Sequence, residues 1–288
     1  MNDLRLAINS SSNSFDRIEL ISVKGVTLVQ KTFVNDIARS ELSIRKQMLF
    51  NELNSFSCKV FSPNISFYKS FKNRFMVNMP YIEGISAENF SIYGTRKIAD
   101  VISETLSELI MFELSKSVDT EIAVSIFINK LNSIYLLTKD DTVKSYVMKL
   151  ISMLESKIES ITLPLGPCHG DLTLSNMIYT STEGLALIDF LFTYLESPLQ
   201  DISKIKQDYD YGWSFRKTTP PLNLKSKIFT QSHYPEIINK VKKLYPFEDF
   251  LVTAMTLLRI APYVSDDETA VWLKNTLNKF FRENINFL

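Results

Sequence analysis

The sequence predicts an α+β protein with a small, mostly antiparallel β-rich lobe followed by a larger, mainly helical lobe. Two observations lead to this prediction. Up to Gly84, short β-rich runs surround one helical segment, whereas after Gly84 apolar residues recur mainly at helical spacing. At 288 residues the chain has enough material for both parts. We therefore expect an N-terminal lobe at residues 1–84 and a C-terminal lobe at residues 85–288.

The first lobe begins with two strand-like runs, at residues 17–23 and 26–33, that are separated by Lys24 and Gly25. A polar residue followed by glycine between two such runs is a hairpin signal. A helix is predicted next, over residues 35–56, with Asn35 or Asp36 as its N-cap. Its apolar positions at helical spacing are Leu42, Leu49, Leu53 and Phe56. The stretch up to Gly84 then alternates like two more strands.

The second lobe is predicted to be helical over residues 96–160 and again from about Pro198 to the end of the chain. Two short strands interrupt these helices, at residues 177–180 and 185–188, and a turn ending at Gly184 joins them. This hairpin follows the chain's most informative polar segment.

Composition limits the classes of partner. Lys plus Arg equals Asp plus Glu at 32 each, so no net charge attracts nucleic acid or an anionic membrane. No apolar stretch of about 18 residues is present, so we expect no membrane span. Two cysteines and no signal-like start indicate a reduced, cytoplasmic protein. Composition leaves the oligomeric state open.

The stretch CHGDLTLSNMIYTSTEGLALIDF, residues 168–190, carries a set of groups suited to phosphoryl transfer. That reaction needs a carboxylate near the attacking hydroxyl, oxygen ligands for Mg²⁺ and a cation on the phosphates. Asp171 precedes Asn176 by five residues, the spacing of the protein-kinase catalytic loop. Asp189 follows an apolar run, where the magnesium aspartate of such enzymes occurs. Each residue alone is common in turns and strand ends, but the ordered combination is specific.

This order of residues resembles the aminoglycoside phosphotransferase and choline kinase superfamily. The matching pattern is His-Gly-Asp-Leu-x-x-x-x-Asn from His169, followed by an apolar pair before Asp189, with Pro198 preceding a further aspartate, Asp201. The resemblance implies a protein-kinase-like two-lobed fold. It also implies an enzyme that uses ATP, or GTP as the alternative, with Mg²⁺ to phosphorylate a hydroxyl of a small molecule. Sugars, amino sugars and choline-like alcohols are the acceptor classes it suggests.

The resemblance assigns a role to each residue of the motif. Asp171 would be the catalytic base or the group that orients the hydroxyl, and His169 a buried support for its loop. Asn176 and Asp189 would hold Mg²⁺. Asp201 would be a structural hydrogen-bond acceptor.

The first lobe should supply a lysine on its third strand that reaches the phosphates, and Lys31 stands there. A helix glutamate should pair with that lysine. Glu41 and Glu52 lie eleven residues apart, about three turns, so both would be on similar helix faces. The position nearest the usual spacing holds Gln47. Of these we favour Glu52.

Adenine would meet backbone groups of a hinge in the segment FMVNMPYIEG. Pro80 retains a carbonyl for the amino group of the base, and Ile82 has an N–H for its ring nitrogen. The loop that would cover the phosphates, SSSNSF at residues 10–15, contains no glycine. Kinases often place glycines in this loop so that backbone N–H groups approach phosphate.

The acceptor would meet the helices after Asp189, where Asp208, Asp210 and Trp213 are candidate contacts. Carboxylates among aromatic side chains suit a cationic amine or a sugar, but the same segment could be an amphipathic part of the core. A second aromatic and basic cluster, with Arg259 and Tyr263, could also face the acceptor. A second function also stays open, a catalytically weak, kinase-like scaffold that binds nucleotide. The complete trio of Asp171, Asn176 and Asp189 favours the enzyme, whereas the glycine-free loop favours the scaffold.

Overall fold

The computed structural model describes residues 6–7, 17–50, 52–54, 57–89, 94–157, 159–218 and 220–288. The chain forms two compact units. The first contains residues 1–87 and 175–194, and the second contains residues 88–174 and 195–288. Within the described ranges, no helix has the length and apolar character needed to cross a membrane.

The described part of the chain contains both strands and helices, numbered here in chain order. The strands are β1 (Leu6–Ala7), β2 (Arg17–Val23), β3 (Val26–Phe33), β4 (Leu53–Asn54), β5 (Lys59–Phe61), β6 (Phe67–Phe71), β7 (Arg74–Pro80), β8 (Ile85–Ser86), β9 (Val118–Ala123), β10 (Ser160–Leu165), β11 (Met177–Thr180) and β12 (Gly184–Leu187). The helices are α1 (Ile37–Leu49), α2 (Arg96–Ser115), α3 (Val124–Leu137), α4 (Asp141–Lys157), α5 (Pro198–Tyr209), α6 (Pro220–Ser232), α7 (Glu236–Leu244), α8 (Pro246–Leu258) and α9 (Asp267–Glu283). The predicted α+β fold class is thereby confirmed.

The first unit contains an antiparallel sheet with the strand order β1-β2-β3-β7-β6. The predicted hairpin joins β2 to β3, and its turn residues Lys24 and Gly25 have φ angles of 51° and 81°. Two successive positive φ angles are typical of a type I′ turn, whose twist matches that of the strands. Helix α1 packs on this sheet through Ile44, which joins a buried cluster with Phe75 and Val77 of β7.

Helix α1 is shorter than the apolar spacing predicts. It begins after Asp36, whose side chain accepts a hydrogen bond from the N–H of Arg39, and it ends at Leu49. The prediction that the helix continues through Leu53 is wrong, because the chain there forms the extended strand β4, which pairs with β5. Phe56, the last residue of the predicted helix, lies outside the described residues. Leu49 is 78% exposed, so the predicted apolar face is not the face that packs.

A second, five-stranded sheet of the first unit has the order β4-β5-β12-β11-β8. The β11–β12 hairpin matches its predicted position to within a residue. Strand β12 pairs in parallel with β5, so residues 175–194 belong to the first unit. The sequence predicted one boundary, at residue 84, whereas the first unit also contains residues 175–194. Parallel pairing accounts for the difference, because it joins strands that are far apart in sequence.

The second unit is mainly helical around the buried helices α5 and α8, which pack against each other. One strand pair was not predicted within the helical range 96–160. Strand β9 pairs antiparallel with β10, with Val118 opposite Leu165. The segment VDTEIA alternates with the period of a strand, a short signal that the flanking helical patterns hide.

Candidate active site

The second unit holds Asp171 in a segment that we call the Asp171 loop, residues 169–174. Two consecutive N–H groups at its start, those of His169 and Gly170, donate to the two oxygens of the Asp201 carboxylate. Asp201 is completely buried, and Gly170 has a φ angle of 86°, which favours glycine. Asp201 is thus a structural hydrogen-bond acceptor, as the resemblance implies.

Asp208 anchors the other end of the Asp171 loop. Its Oδ2 accepts a hydrogen bond from the N–H of Leu174 at 2.7 Å, and its Oδ1 accepts one from the N–H of Ser214 at 2.9 Å. Burial raises the pKa of this carboxyl, and the hydrogen bonds from Ser214 and Leu174 act against that rise. The structure places Asp208, predicted as an acceptor contact, beneath the loop with both oxygens bonded to backbone.

The carboxylate of Asp171 lies beside two cations. Its Oδ1 is 2.8 Å from Nζ of Lys204 and 3.8 Å from a guanidinium nitrogen of Arg259. Burial alone would raise the pKa of Asp171, but the charge and hydrogen bond of Lys204 and the charge of Arg259 outweigh it and lower the pKa to about 2. Asp171 is therefore ionised at neutral pH.

One face of helix α5 organises the whole loop. Asp201, Lys204 and Asp208 are spaced by three and four residues, which places them on the same face. They contact the start, the middle and the end of the Asp171 loop in that order. Sequence reasoning missed Lys204, for which the spacing between two aspartates was the available signal. It marked Arg259 only as a residue that could face the acceptor, and the approach of Arg259 to Asp171 was not predicted.

His169 is buried at the start of the Asp171 loop. Its ring Nδ1 accepts a hydrogen bond from the N–H of Asp171 at 3.2 Å, so this nitrogen carries no proton. The ring therefore fixes the backbone of the residue that carries the candidate catalytic carboxylate.

The first unit holds Asn176 and Asp189 at one end of the β11–β12 hairpin. Asn176 directly precedes β11, and Asp189 follows β12 by two residues. Antiparallel pairing places Met177 opposite Leu187, and the N–H of Ile188 donates to the carbonyl of Asn176 at 3.0 Å. The hairpin therefore brings the two predicted metal ligands to the same end of the sheet.

An amide oxygen and a carboxylate are the hard oxygen ligands that Mg²⁺ accepts. In the described part of the chain, no group of three or more His, Cys, Asp and Glu residues could hold a metal ion. Mg²⁺ commonly has one or two protein ligands and completes its shell with phosphate and water. The donors Asn176 and Asp189 thus fit a magnesium ion that is bound together with a nucleotide.

Lys31 of β3 forms an ion pair with Asp189. The Lys31 side chain is mostly buried, and burial lowers its pKa to about 8. Asp189 has a φ angle of 62° and its side chain is 42% exposed. The phosphate-binding lysine and the metal-binding aspartate predicted from the sequence are thus brought together.

Helix α1 holds the chain that follows Asp189, which we call the Asp189 segment, residues 189–192. Ser43 Oγ accepts a hydrogen bond from the N–H of Phe192 at 2.9 Å, and Lys46 Nζ donates to the carbonyl of Leu191 at 3.0 Å. Arg39 donates to the carbonyl of Phe192. These polar residues were not predicted, although their spacing of three and four residues is that of one helix face.

The structure does not pair Glu52 with Lys31. Glu52 lies beyond the end of α1 and forms an ion pair with Lys59 at 2.8 Å. This corrects the predicted partnership, and the physical reason is that the helix ends before residue 52. Gln47 is buried, and its amide donates to the carbonyl of Pro63 at 2.9 Å.

The predicted hinge includes Pro80, the last residue of β7, and continues to Ile82. Pro80 pairs with Leu28 in the sheet, and the N–H of Tyr81 donates to the carbonyl of Thr27 at 3.1 Å. Ile82 lies just beyond this pairing. The glycine-free segment at residues 10–15 is outside the described residues.

The other two predicted acceptor contacts, Asp210 and Trp213, have their side-chain partners outside the Asp171 loop. Asp210 accepts a hydrogen bond from the Tyr234 hydroxyl at 3.2 Å and lines a cavity of about 450 Å³ with Lys206. Asp210 is two positions after Asp208, so the two are about 200° apart around the helix axis. Trp213 packs edge-on against Trp272, with the Arg216 guanidinium 3.6 Å from its ring centre.

The chain resembles known proteins in part of its sequence and in its fold. Residues 131–222 match the profile of the Phosphotransferase enzyme family. This range is less than half of the chain, and it contains Asp171, Asn176, Asp189 and Lys204. A comparison with curated proteins found no match.

Several solved structures share the fold. A thermostable mutant of aminoglycoside phosphotransferase APH(4)-Ia has a TM-score of 0.56 at 14% identity, covering 99% of this chain and 95% of that chain. A ternary complex of such a mutant with ADP and hygromycin B gives 0.55 at 14% identity, covering 96% and 93%. A putative fructosamine-3-kinase from Haemophilus somnus gives 0.50 at 12% identity, covering 96% and 92%.

The two kinds of comparison agree. At these identities the solved structures establish the kinase-like fold, and the profile match adds the phosphotransferase signature. The profile match confirms, over residues 131–222, the resemblance to phosphotransferase enzymes that the sequence predicts.

Proposed function

We propose that the protein is an ATP-dependent phosphotransferase that moves the γ-phosphoryl group of the nucleotide to a hydroxyl of a small molecule. The observation that carries this proposal is the state of Asp171. It is a carboxylate kept ionised by Lys204 and Arg259, in a loop whose backbone is fixed by buried side chains. A scaffold that only bound nucleotide would not need such a group.

Asp171 orients the acceptor hydroxyl by accepting its hydrogen bond. In the transfer step, the hydroxyl oxygen forms a bond to the γ-phosphorus while the bond from that phosphorus to the bridging oxygen breaks, which releases the nucleoside diphosphate. The hydroxyl proton passes to Oδ of Asp171. Because its pKa is lowered, the carboxylate is a weak base, and its main contribution is to orient the hydroxyl.

Lys31, Asn176 and Asp189 bind the nucleotide. Asn176 and Asp189 would hold Mg²⁺, which would neutralise negative charge that develops on the phosphates. Lys31 binds the phosphates once its contact with Asp189 gives way. Pro80 and Ile82 offer the backbone carbonyl and N–H for the adenine. GTP is the alternative nucleotide, since the same backbone groups could contact guanine.

A direct test incubates the purified protein with ATP or GTP labelled in the γ-phosphoryl group, Mg²⁺ and pools of sugars, amino sugars, sugar acids and amino alcohols. Labelled products are then identified by mass spectrometry. We expect one structural class to become labelled by the wild type and no labelling by Asp171→Asn. Asp141→Asn, an exposed substitution of the same kind, should label like the wild type. Label transfer that survives Asp171→Asn would refute the assignment of Asp171.

A further inference from the structure

The charges beside the candidate catalytic carboxylate are mainly positive. Lys204 and Arg259 both approach Oδ1 of Asp171. The nearby carboxyl of Asp208 is buried with both oxygens bonded to backbone N–H groups. The groups that can meet a ligand next to Asp171 therefore present at least as much positive as negative charge.

The two cations differ in what remains available to a ligand. The Lys204 side chain is only 6% exposed, and its ammonium is at hydrogen-bond distance from Asp171. The Arg259 side chain is 21% exposed, and among the described residues its one ion pair is the 3.8 Å approach to Asp171, which is too long for a hydrogen bond. A guanidinium has five N–H donors in a planar fork. Arg259 thus keeps donors for another partner.

Binding of a cationic acceptor next to Asp171 would be electrostatically unfavourable. An ammonium near Asp171 would have to compete with Lys204 and would be repelled by Arg259. Asp208 and Asp210, the carboxylates that the sequence offers for a cation, accept hydrogen bonds within the protein. An anionic group suits the fork of Arg259, because carboxylate and phosphate oxygens match two of its N–H groups at once.

We propose that the acceptor carries an anionic group, a carboxylate or a phosphate, close to the hydroxyl that is phosphorylated, and that Arg259 binds this group. The inference deepens the proposed function by naming a substrate class, and it rests on Asp171 meeting the acceptor. Arg259 then sets specificity, because its charge selects an anionic acceptor and places the neighbouring hydroxyl at Asp171. Acidic sugars and phosphorylated alcohols belong to this class, whereas choline-like alcohols do not.

The test compares compounds that share a carbon skeleton and differ in charge. One series is glycerol, glycerate and glycerol phosphate, and a second is glucose, glucosamine, glucuronate and glucose phosphate. Dissociation constants are measured by calorimetry without nucleotide, at one ionic strength. We expect at least one anionic compound to bind about tenfold or more tightly than its neutral and cationic counterparts. Comparing the carboxylate with the phosphate of each series identifies the anionic group.

Two variants of Arg259 assign the effect to this residue. Arg259→Gln removes the charge and should bring the anionic compound to within about twofold of its neutral counterpart. Arg259→Lys keeps the charge but loses the planar fork, so an intermediate preference is expected. Arg282→Gln, which removes an exposed arginine in α9, is the matched control and should keep the wild-type preference.

The outcomes separate this inference from the proposed function. A panel in which no anionic compound binds more tightly than its neutral counterpart overturns the inference, as does a preference that survives Arg259→Gln. Either result leaves the phosphotransferase in place if magnesium-dependent nucleotide binding and label transfer are observed. If both of those also fail, the proposed function fails independently.

Discussion

The Asp171 loop of the second unit and the Asp189 segment of the first unit each present one carboxylate, and they hold it in different ways. Buried aspartates bind the backbone at both ends of the Asp171 loop, and Lys204 and Arg259 hold its central carboxylate. In the Asp189 segment, Leu191 and Phe192, which follow Asp189, form hydrogen bonds with side chains of α1. The Asp189 side chain itself is exposed and pairs with Lys31.

This difference corresponds to two chemical tasks. A group that orients a hydroxyl gains from a fixed position and a fixed charge, because misplacement costs rate. A group that binds a metal–nucleotide complex must exchange its partner when the complex arrives. An exposed carboxylate paired with one lysine can do so at a lower free-energy cost than a buried one.

The largest expected effect tests the role of the Asp171 loop. Asp171→Asn keeps the shape of the side chain but removes its charge, so turnover of the acceptor should fall by about 10²–10⁴-fold. The dissociation constant for Mg²⁺–ATP should stay within about twofold of wild type, because Asp171 orients the acceptor rather than the nucleotide. Steady-state rates and calorimetry measure the two quantities. A comparable loss in nucleotide affinity would contradict the division of tasks.

Asp201→Asn should have the next largest effect, on stability. An asparagine offers one acceptor oxygen, so one N–H of His169 or Gly170 would face an amide donor. We expect the free energy of unfolding to fall by about 2–3 kcal/mol. Asp267→Asn, at an exposed first-turn position of α9, should cost less than about 1 kcal/mol. Urea unfolding of both variants measures the difference, and equal losses would show that the anchor is unimportant.

Lys204→Met tests, through the pH dependence of activity, whether Lys204 lowers the pKa of Asp171. The pKa of Asp171 lies near 2, below its ordinary value, so the reactive carboxylate persists until the pH falls through about 2. Removing Lys204 should raise that pKa by about 1–2 units. The acid limb of kcat/KM due to Asp171 should therefore appear at higher pH in Lys204→Met than in the wild type. Coincident pH profiles would show that Lys204 does not set the charge of Asp171.

The smallest expected effect concerns the Asp189 segment. Ser43→Ala removes the acceptor for the N–H of Phe192 and should lower the free energy of unfolding by about 1 kcal/mol. Ser107→Ala is matched, since Ser107 donates to the carbonyl four residues earlier, as Ser43 does. A larger loss for Ser43→Ala than for Ser107→Ala is expected by chemical denaturation. The reverse order would show that α1 does not stabilise this segment.

Local patterns predicted much of the fold. The β2–β3 and β11–β12 hairpins follow from alternation interrupted by glycine-containing turns, which act over a few residues. The end of α1 could not be predicted, because Leu53 leaves the helix to pair in a sheet. The assignment of residues 175–194 to the first unit depends on parallel pairing with β5, a contact between distant parts of the chain.

In the candidate site, too, some residues could be predicted from local sequence patterns and others could not. Asp171, Asn176, Asp189 and Lys31 could be named because their spacing and strand positions form a motif. Lys204 could not, since its importance comes from its tertiary contact with Asp171. Arg259 was expected only to face the acceptor, and its approach to Asp171 is likewise a tertiary contact. The choice of Glu52 failed because it depended on a helix that ends at Leu49.

The most direct test of the account is thermal unfolding with and without ATP and Mg²⁺, for the wild type, Asp171→Ala and Asp189→Ala. A ligand that binds only the folded state raises the unfolding temperature by mass action. We predict a magnesium-dependent rise in the wild type that Asp171→Ala retains and Asp189→Ala loses. No magnesium-dependent rise in the wild type, or an equal rise in Asp189→Ala, would contradict the assignment of the nucleotide site.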